Sequence, residues 1–322
     1  MLTPLSDDDR FDLITMGRVG VDLYPLEDNR LLKDVETFGR YLGGSPTNVA
    51  VAAARHGLRA AVVTRTGSDP FSKFVTEELS RLGVDNRYVL PVEGARTTLA
   101  FCEIFPPDHF PLYFVRDAVA PELTITPHQL DLDVIARARG FWATATGFSA
   151  EPSRAAHHAA LRARARAACT ILDLDYREGY WPDEITASHE IGVALENVSV
   201  AVGNLEECRV AVGESEPHRA ADALLDRGVT LAIVKMGPAG VLAKTADEIL
   251  SVAPTPVAVV NGLGAGDGFG GALAAGLVSG WSLERVVTFA SAAGAIVAGR
   301  RECSTAMPTS AEVESVLARG TA

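Results

Sequence analysis

A doubly wound, mostly parallel α/β sheet with a small β-sheet lid is the fold predicted by this sequence of 322 residues. Three observations predict it. Short β-branched runs alternate with helical runs along most of the chain, the pattern of a sheet covered on both faces. Two turn-rich, strand-like stretches, at about 20–42 and 97–116, break that alternation and form the lid. No low-complexity linker or internal repeat divides the chain, so one domain is expected over 1–322.

The elements follow in order. Residues 11–17 read as a strand entering a turn. Residues 48–56 carry the small apolar face of a helix that Gly57 ends, and 60–64 are a buried strand. Residues 70–82 form an amphipathic helix. "TTLAFCEIF" (97–105) and "PLYFVR" (111–116) are strand-like, joined by the turn-rich "PPDHF". Then come a strand in "GFWATATG", a helix at 154–168, and strands in "CTILDLD" and "VSVAVGN". A helix at 218–226 and a strand in "TLAIVKMG" follow. A β-branched strand at 257–260 leads into "NGLGAGDGFGG" (261–271), and helices close the series at about 266–280 and 283–298.

Composition excludes several functions. The formal net charge of −12 argues against nucleic acid as a partner. Hydrophobic residues make up 48 %, enough for a large core, so disorder is not expected. Apolar runs are interrupted before ~20 residues, so neither a membrane span nor a membrane role is expected. Cys102, Cys169, Cys208 and Cys303 lack metal-ligand spacing and suit a reducing compartment. "MLTPLSDDDR" lacks the basic start and apolar stretch of a leader, so the expected location is cytoplasmic.

The glycine loop carries the chemistry. It precedes a helix, and a helix N-terminus offers unpaired N–H groups and the positive end of a dipole to an anion. The P-loop is excluded, since no Lys-Ser or Lys-Thr follows the last glycine. The dinucleotide pattern is excluded because its third glycine position is Asp267. A carboxylate beside a phosphate makes sense where a hydroxyl must lose its proton while attacking that phosphate. Asp267 is then the catalytic base, and the backbone at Gly264, Ala265 and Gly266 stabilises the phosphoryl oxygens. Taken alone, Asp267 reads equally well as a helix cap.

Far upstream stands "GGSPTNVA" (43–50). Gly43, Gly44 and Asn48 at this spacing, together with Gly264-Ala265-Gly266-Asp267, resemble the two signatures of the ribokinase-like (PfkB) carbohydrate kinases. The resemblance runs over about residues 10–315. It implies ATP and Mg²⁺, with Asp267 as base. Asn204 and Glu207 of "NLEE" match an N-x-x-E motif that organises Mg²⁺ and phosphates, Glu207 through water. Lys235, Gly237 and Gly240 of "KMGPAG" match a turn beside the nucleotide. Asn261 stands where many members have Asp, which bears on local charge and on a K⁺ site. Dimerisation through the lid is implied by the resemblance alone.

On the substrate side, Asp22 sits where the family places an acid for sugar hydroxyls, with Gly43, Gly44 and Asn48 around it. Arg116 of "PLYFVR" and Arg177 of "DLDYREGYW" are similar to the arginines that meet the substrate carboxylate in the family's 2-keto-3-deoxygluconate kinases. Here the first motif is shifted by one residue, and Asp175 replaces an Asn in the second. A guanidinium suits a carboxylate by charge and by fork geometry. A narrower resemblance, to the 5-dehydro-2-deoxygluconokinase subgroup of myo-inositol catabolism, is carried by "GRVGVDLYP", "LGGSPTNVAVAAARHG", "LAFCEIFPPDHFPLYFVR", "NGLGAGDGFGGAL" and "AMPT". It implies phosphorylation of the 6-hydroxyl of 5-dehydro-2-deoxy-D-gluconate. Other readings are 2-keto-3-deoxygluconate or fructose as substrate, and a non-catalytic nucleotide or sugar sensor.

Overall fold

The computed structural model describes residues 10–320. The leaderless reading of the N-terminus therefore falls, up to residue 9, outside the described residues, as do both ends of the expected 1–322 domain. The strands are Leu13–Met16 (β1), Gly20–Pro25 (β2), Phe38–Gly43 (β3), Ala60–Gly67 (β4), Val89–Val92 (β5), Leu99–Cys102 (β6) and Leu112–Val115 (β7). They continue as Gly140–Thr144 (β8), Thr170–Asp173 (β9), Val200–Asn204 (β10), Leu231–Lys235 (β11), Val241–Lys244 (β12) and Ile249–Val252 (β13). The helices are Ser45–Arg55 (α1), Pro70–Arg81 (α2), Leu132–Arg137 (α3), Ser153–Arg164 (α4) and Glu184–Leu195 (α5). Leu205–Val212 (α6), Pro217–Asp226 (α7), Ala265–Val278 (α8), Leu283–Ala298 (α9) and Ser310–Gly320 (α10) complete them.

Nine strands form one sheet in the order β13-β12-β11-β10-β9-β8-β1-β4-β5. Its pairs are parallel except at β11–β12 and β12–β13. The alternation of each strand feeds two cores. Leu13, Val62 and Trp142 pack on one face with α1, α8 and α9. Ile14, Val63 and Phe141 pack on the other with α4, α5 and α7. Both faces are buried, so the strands read as continuous apolar runs. A second sheet has the order β3-β2-β6-β7 and carries its own small core around Tyr24, Cys102, Ile104 and Cys303. Among the described residues, no helix is long and apolar enough to cross a membrane.

One element expected from the sequence is absent. Residues 257–260 form no strand. Pro254 and Pro256 supply no N–H for a ladder. The segment instead closes the end of α9, with the N–H groups of Val260 and Asn261 donating to the Ala298 carbonyl at 2.9 and 3.1 Å. Helix α1 begins at Ser45, earlier than the apolar pattern indicated, with Pro46 in its first turn. Helix α4 ends at Arg164 because Ala165 and Arg166 turn left-handed, at φ 47° and 58°. Helices α5, α6 and α10 and the hairpin β12–β13 were not expected from the sequence pattern.

Candidate active site

Strand order reverses at β1. The chain steps to β4 and β5 on one side, then to β8, β9, β10 and β11 on the other. Such a switch point opens a crevice beyond the carboxyl ends of the strands. A cleft of about 800 Å³ lies there. Arg18 enters it after β1, Asp175 and Arg177 after β9, Asn204 and Lys235 from the ends of β10 and β11. The smaller sheet contributes Asp22 and Phe114 to the wall, and the N-terminus of α8 contributes Asp267.

Asp267 is the third residue of α8, but it does not cap that helix. The N-cap is Gly264, and no side chain caps it. Both carboxylate oxygens of Asp267 are taken from across the cleft by α1. Ser45 Oγ donates to Oδ1 at 2.7 Å, and Asn48 Nδ2 donates to Oδ2 at 2.8 Å. Asn48 is itself fixed, since its Oδ1 accepts from Ser304 Oγ at 2.9 Å. Asn48, expected to bind sugar, lines the cleft with Nδ2 donating to the carboxylate and Oδ1 accepting from Ser304. Burial raises the pKa of Asp267, against the hydrogen bonds from Asn48 and Ser45.

The loop glycines divide between two tasks. Gly264 has φ 81°, and a Cβ there would lie 2.7 Å from Cys303 Sγ. Gly271 lies deeper in α8, where a Cβ would meet Ala52 Cβ at 2.3 Å and Val49 O at 2.9 Å. The second glycine thus serves the close crossing of α8 on α1, the helix that holds Asp267. The first-turn N–H groups at Ala265 and Gly266 stand at the positive end of α8.

Asp22 sits on β2 with Tyr24 Oη donating to its Oδ2 at 2.9 Å. Its pKa is pushed up to about 6 by burial, with Tyr24 and Arg18 opposing. A Cβ on Gly43 would fall 2.0 Å from Asp22 Oδ1, so the first glycine of the upstream pair makes space for this carboxylate. Gly44 lines the cleft directly.

Of the two expected arginines, one stands where expected and one does not. Arg177 lines the cleft, its Nε donating to Asp175 Oδ1 at 2.9 Å. Arg116 is not brought into the cleft. Its Nη2 donates to the Gly179 carbonyl at 2.9 Å, and its guanidinium lies 4.3 Å over the Tyr180 ring. Arg18 occupies the cleft instead, donating from Nη2 to Asp175 Oδ2 at 3.2 Å. Sequence reasoning quoted "GRVGVDLYP" for Asp22 and passed over Arg18. The only available signal was a charged residue directly after a core strand. Asp175 thus serves two cations, and the pair explains why an anion stands there rather than Asn. Burial would raise the Asp175 pKa, but Arg18 and Arg177 outweigh it and hold it below the usual carboxylate range. Asp173, two residues earlier, is pushed upward by burial.

At the other end, Asn204 and Glu207 form a capping box on α6. Glu207 N–H donates to Asn204 Oδ1 at 2.9 Å, and Asn204 N–H donates to Glu207 Oε2 at 2.7 Å. Glu207 is 7 % exposed and lines the cleft, with Oε2 committed to the cap. Lys235 ends β11 beside Asn204. Its Nζ would lie 3.4 Å from a Cβ on Gly266, so the ammonium stands over the first turn of α8. Burial works against that charge, but Glu207, Asp173, Asp267 and Asp175 outweigh it and raise the pKa. Gly237 and Gly240 flank the short turn between β11 and β12 and line the cleft. Asn261, buried, donates to the Arg301 carbonyl at 2.7 Å and accepts from Leu263 N–H at 3.1 Å. It shapes the loop before α8.

The residues present fit a magnesium nucleotide. Among the described residues, no cluster of three or more His, Cys, Asp or Glu could hold a metal. Mg²⁺ needs no such cage, since it keeps several waters and binds substrate phosphates with one or two carboxylates. Glu207 supplies a carboxylate, and Lys235 with the α8 N-terminus supplies positive charge.

A family model described as pfkB family carbohydrate kinase matches residues 11–310. A 5-dehydro-2-deoxygluconokinase of Geobacillus thermodenitrificans is 30 % identical over 324 aligned residues, covering 98 % of this chain and 96 % of that one. Another, from Listeria monocytogenes, is 31 % identical, covering 96 % and 97 %. The solved structure of a putative ribokinase II from E. coli in complex with ATP and Mg²⁺ superposes with a TM-score of 0.85 at 22 % identity, covering 96 % and 99 %.

Proposed function

Since the chain belongs to the pfkB family of carbohydrate kinases, we propose that it is an ATP-dependent sugar-acid kinase acting on the 6-hydroxyl of 5-dehydro-2-deoxy-D-gluconate. The observation that carries the reading is Asp267, aimed into the cleft at the start of α8 with both oxygens held by Ser45 and Asn48. The names of the curated relatives support the substrate, and the Arg18–Asp175–Arg177 cluster supports an anionic acceptor.

In the reaction, Asp267 takes the proton of the 6-hydroxyl as its oxygen bonds to the γ-phosphorus. The bond from that phosphorus to the β,γ-bridging oxygen breaks, and ADP leaves. The N–H groups at Gly264, Ala265 and Gly266 and the ammonium of Lys235 bear on the charge of the transferred group. Mg²⁺, held near Glu207, neutralises nucleotide oxygens when bound. Asp22 accepts from sugar hydroxyls. Arg177 faces the carboxylate, and the turn carrying Gly237 and Gly240 borders the nucleotide. Cover from the smaller sheet limits water, and so wasteful hydrolysis of ATP.

The test is ADP release from MgATP with 5-dehydro-2-deoxygluconate, 2-keto-3-deoxygluconate, fructose and ribose. The first should be preferred. Preference for another keeps the chemistry and removes this substrate. Nucleotide binding without turnover on any of them favours a sensor.

A further inference from the structure

We propose that Arg18, on the turn after β1, is a specificity-determining residue that binds the carboxylate of the acceptor beside Arg177. This rests on the sugar-acid reading above.

Arg18 is built in rather than solvated. Its side chain is 11 % exposed, and Nη2 is tied to Asp175 at 3.2 Å. Its guanidinium carbon lies 5.7 Å from the Phe114 ring and 5.8 Å from the Tyr180 ring, so an aromatic residue of the smaller sheet and one of the larger unit flank it. Its main-chain carbonyl accepts from Thr47 Oγ1 at 3.1 Å, joining the turn to α1. A side chain fixed on this many sides keeps one orientation, which lowers the entropy cost of binding.

Yet its donors are underused. Among the described residues, Nε is buried without a hydrogen-bond partner. Glu122, buried within electrostatic reach, makes no hydrogen bond to it. A buried unpartnered donor is costly, and the part of Arg18 that lines the cleft is where a ligand can meet the guanidinium. The charges point the same way. One carboxylate, Asp175, is shared by Arg18 and Arg177, so among the described residues neither guanidinium has an ion-pair partner of its own there. A neutral sugar offers the two guanidiniums no second anion, whereas a carboxylate can accept from both forks. Arg116 cannot share the task in this geometry, being turned onto Gly179 and the Tyr180 ring.

The experiment compares wild type, Arg18→Gln and Arg18→Lys with 5-dehydro-2-deoxygluconate and with a neutral ketohexose, alongside MgATP binding. R18Q should raise the KM for the acid about tenfold or more while changing kcat/KM for the neutral sugar less than about threefold. MgATP affinity should hold. R18K, which keeps the charge and loses the fork, should fall between the two. Equal losses on acid and neutral sugar, or an unchanged KM for the acid, overturn the assignment. Should R18Q not fold, R18K decides by the same two criteria. A wild-type enzyme with no preference for acids removes the sugar-acid reading and this inference with it. A wild-type preference that survives in R18Q removes this inference alone.

Discussion

Asn48 and Asp267 meet across two helices, amide Nδ2 to carboxylate Oδ2 at 2.8 Å, with Ser304 holding the other end of the amide. That hydrogen bond lowers a pKa that burial raises. Asn48→Ala should therefore shift the rising limb of the kcat/KM pH profile to higher pH. It should also cost about 10–100-fold in turnover, the worth of a hydrogen bond to a charged group. An unshifted limb in a folded N48A enzyme would mean that another group sets the profile.

Asp267→Asn keeps the shape and removes the base. Turnover should drop by about 10²–10⁴-fold or more. MgATP affinity should stay near that of wild type, read by calorimetry. Retained turnover would sink the assignment of the base.

Asp22 offers a test by pH. Burial lifts its pKa from 3.8 to about 6. Between about pH 4 and 6 the unfolded chain releases this proton while the folded chain keeps it, so stability falls as pH rises through that window. Asp22→Asn removes the penalty. It should gain roughly 1–3 kcal/mol over wild type at pH 7.5 and little at pH 4.5, read by urea denaturation. An equal offset at both pH values would point away from ionisation.

The two glycine tasks can be separated. Gly271→Ala puts a methyl 2.3 Å from Ala52 Cβ. It should destabilise by about 1–3 kcal/mol. Gly266→Ala meets only Lys235 Nζ, at 3.4 Å. Its melting temperature should match or exceed that of wild type, since alanine favours the helix by up to about 1 kcal/mol. Its KM for ATP should rise. If G266A melts early with normal kinetics, the loop is structural.

Much of this was legible in the sequence for a physical reason. Continuous apolar runs and helical periodicity report burial, and burial built both cores, so Leu13, Ile14 and their neighbours announced the sheet. Asp267 was legible because a carboxylate is anomalous among glycines at a helix start. What was not legible depends on partners far along the chain. Nothing local to Asn48 says that Ser304 takes its carbonyl oxygen. Nothing in "PLYFVR" says that Arg116 turns onto Tyr180 while Arg18, almost a hundred residues earlier, fills the corner. The β-branched residues at 257–260 imitate a strand, and only the prolines before them and the free end of α9 decide otherwise.

Asp267 and the groups that hold it ride on different helices, which pack closely at Gly271. Loosening of that crossing should misplace the carboxylate while the sheet still stands. Heat or mild denaturant should therefore silence the enzyme while its secondary structure is still intact. Screening variants for activity after a heat pulse would then select directly for tightness at this crossing.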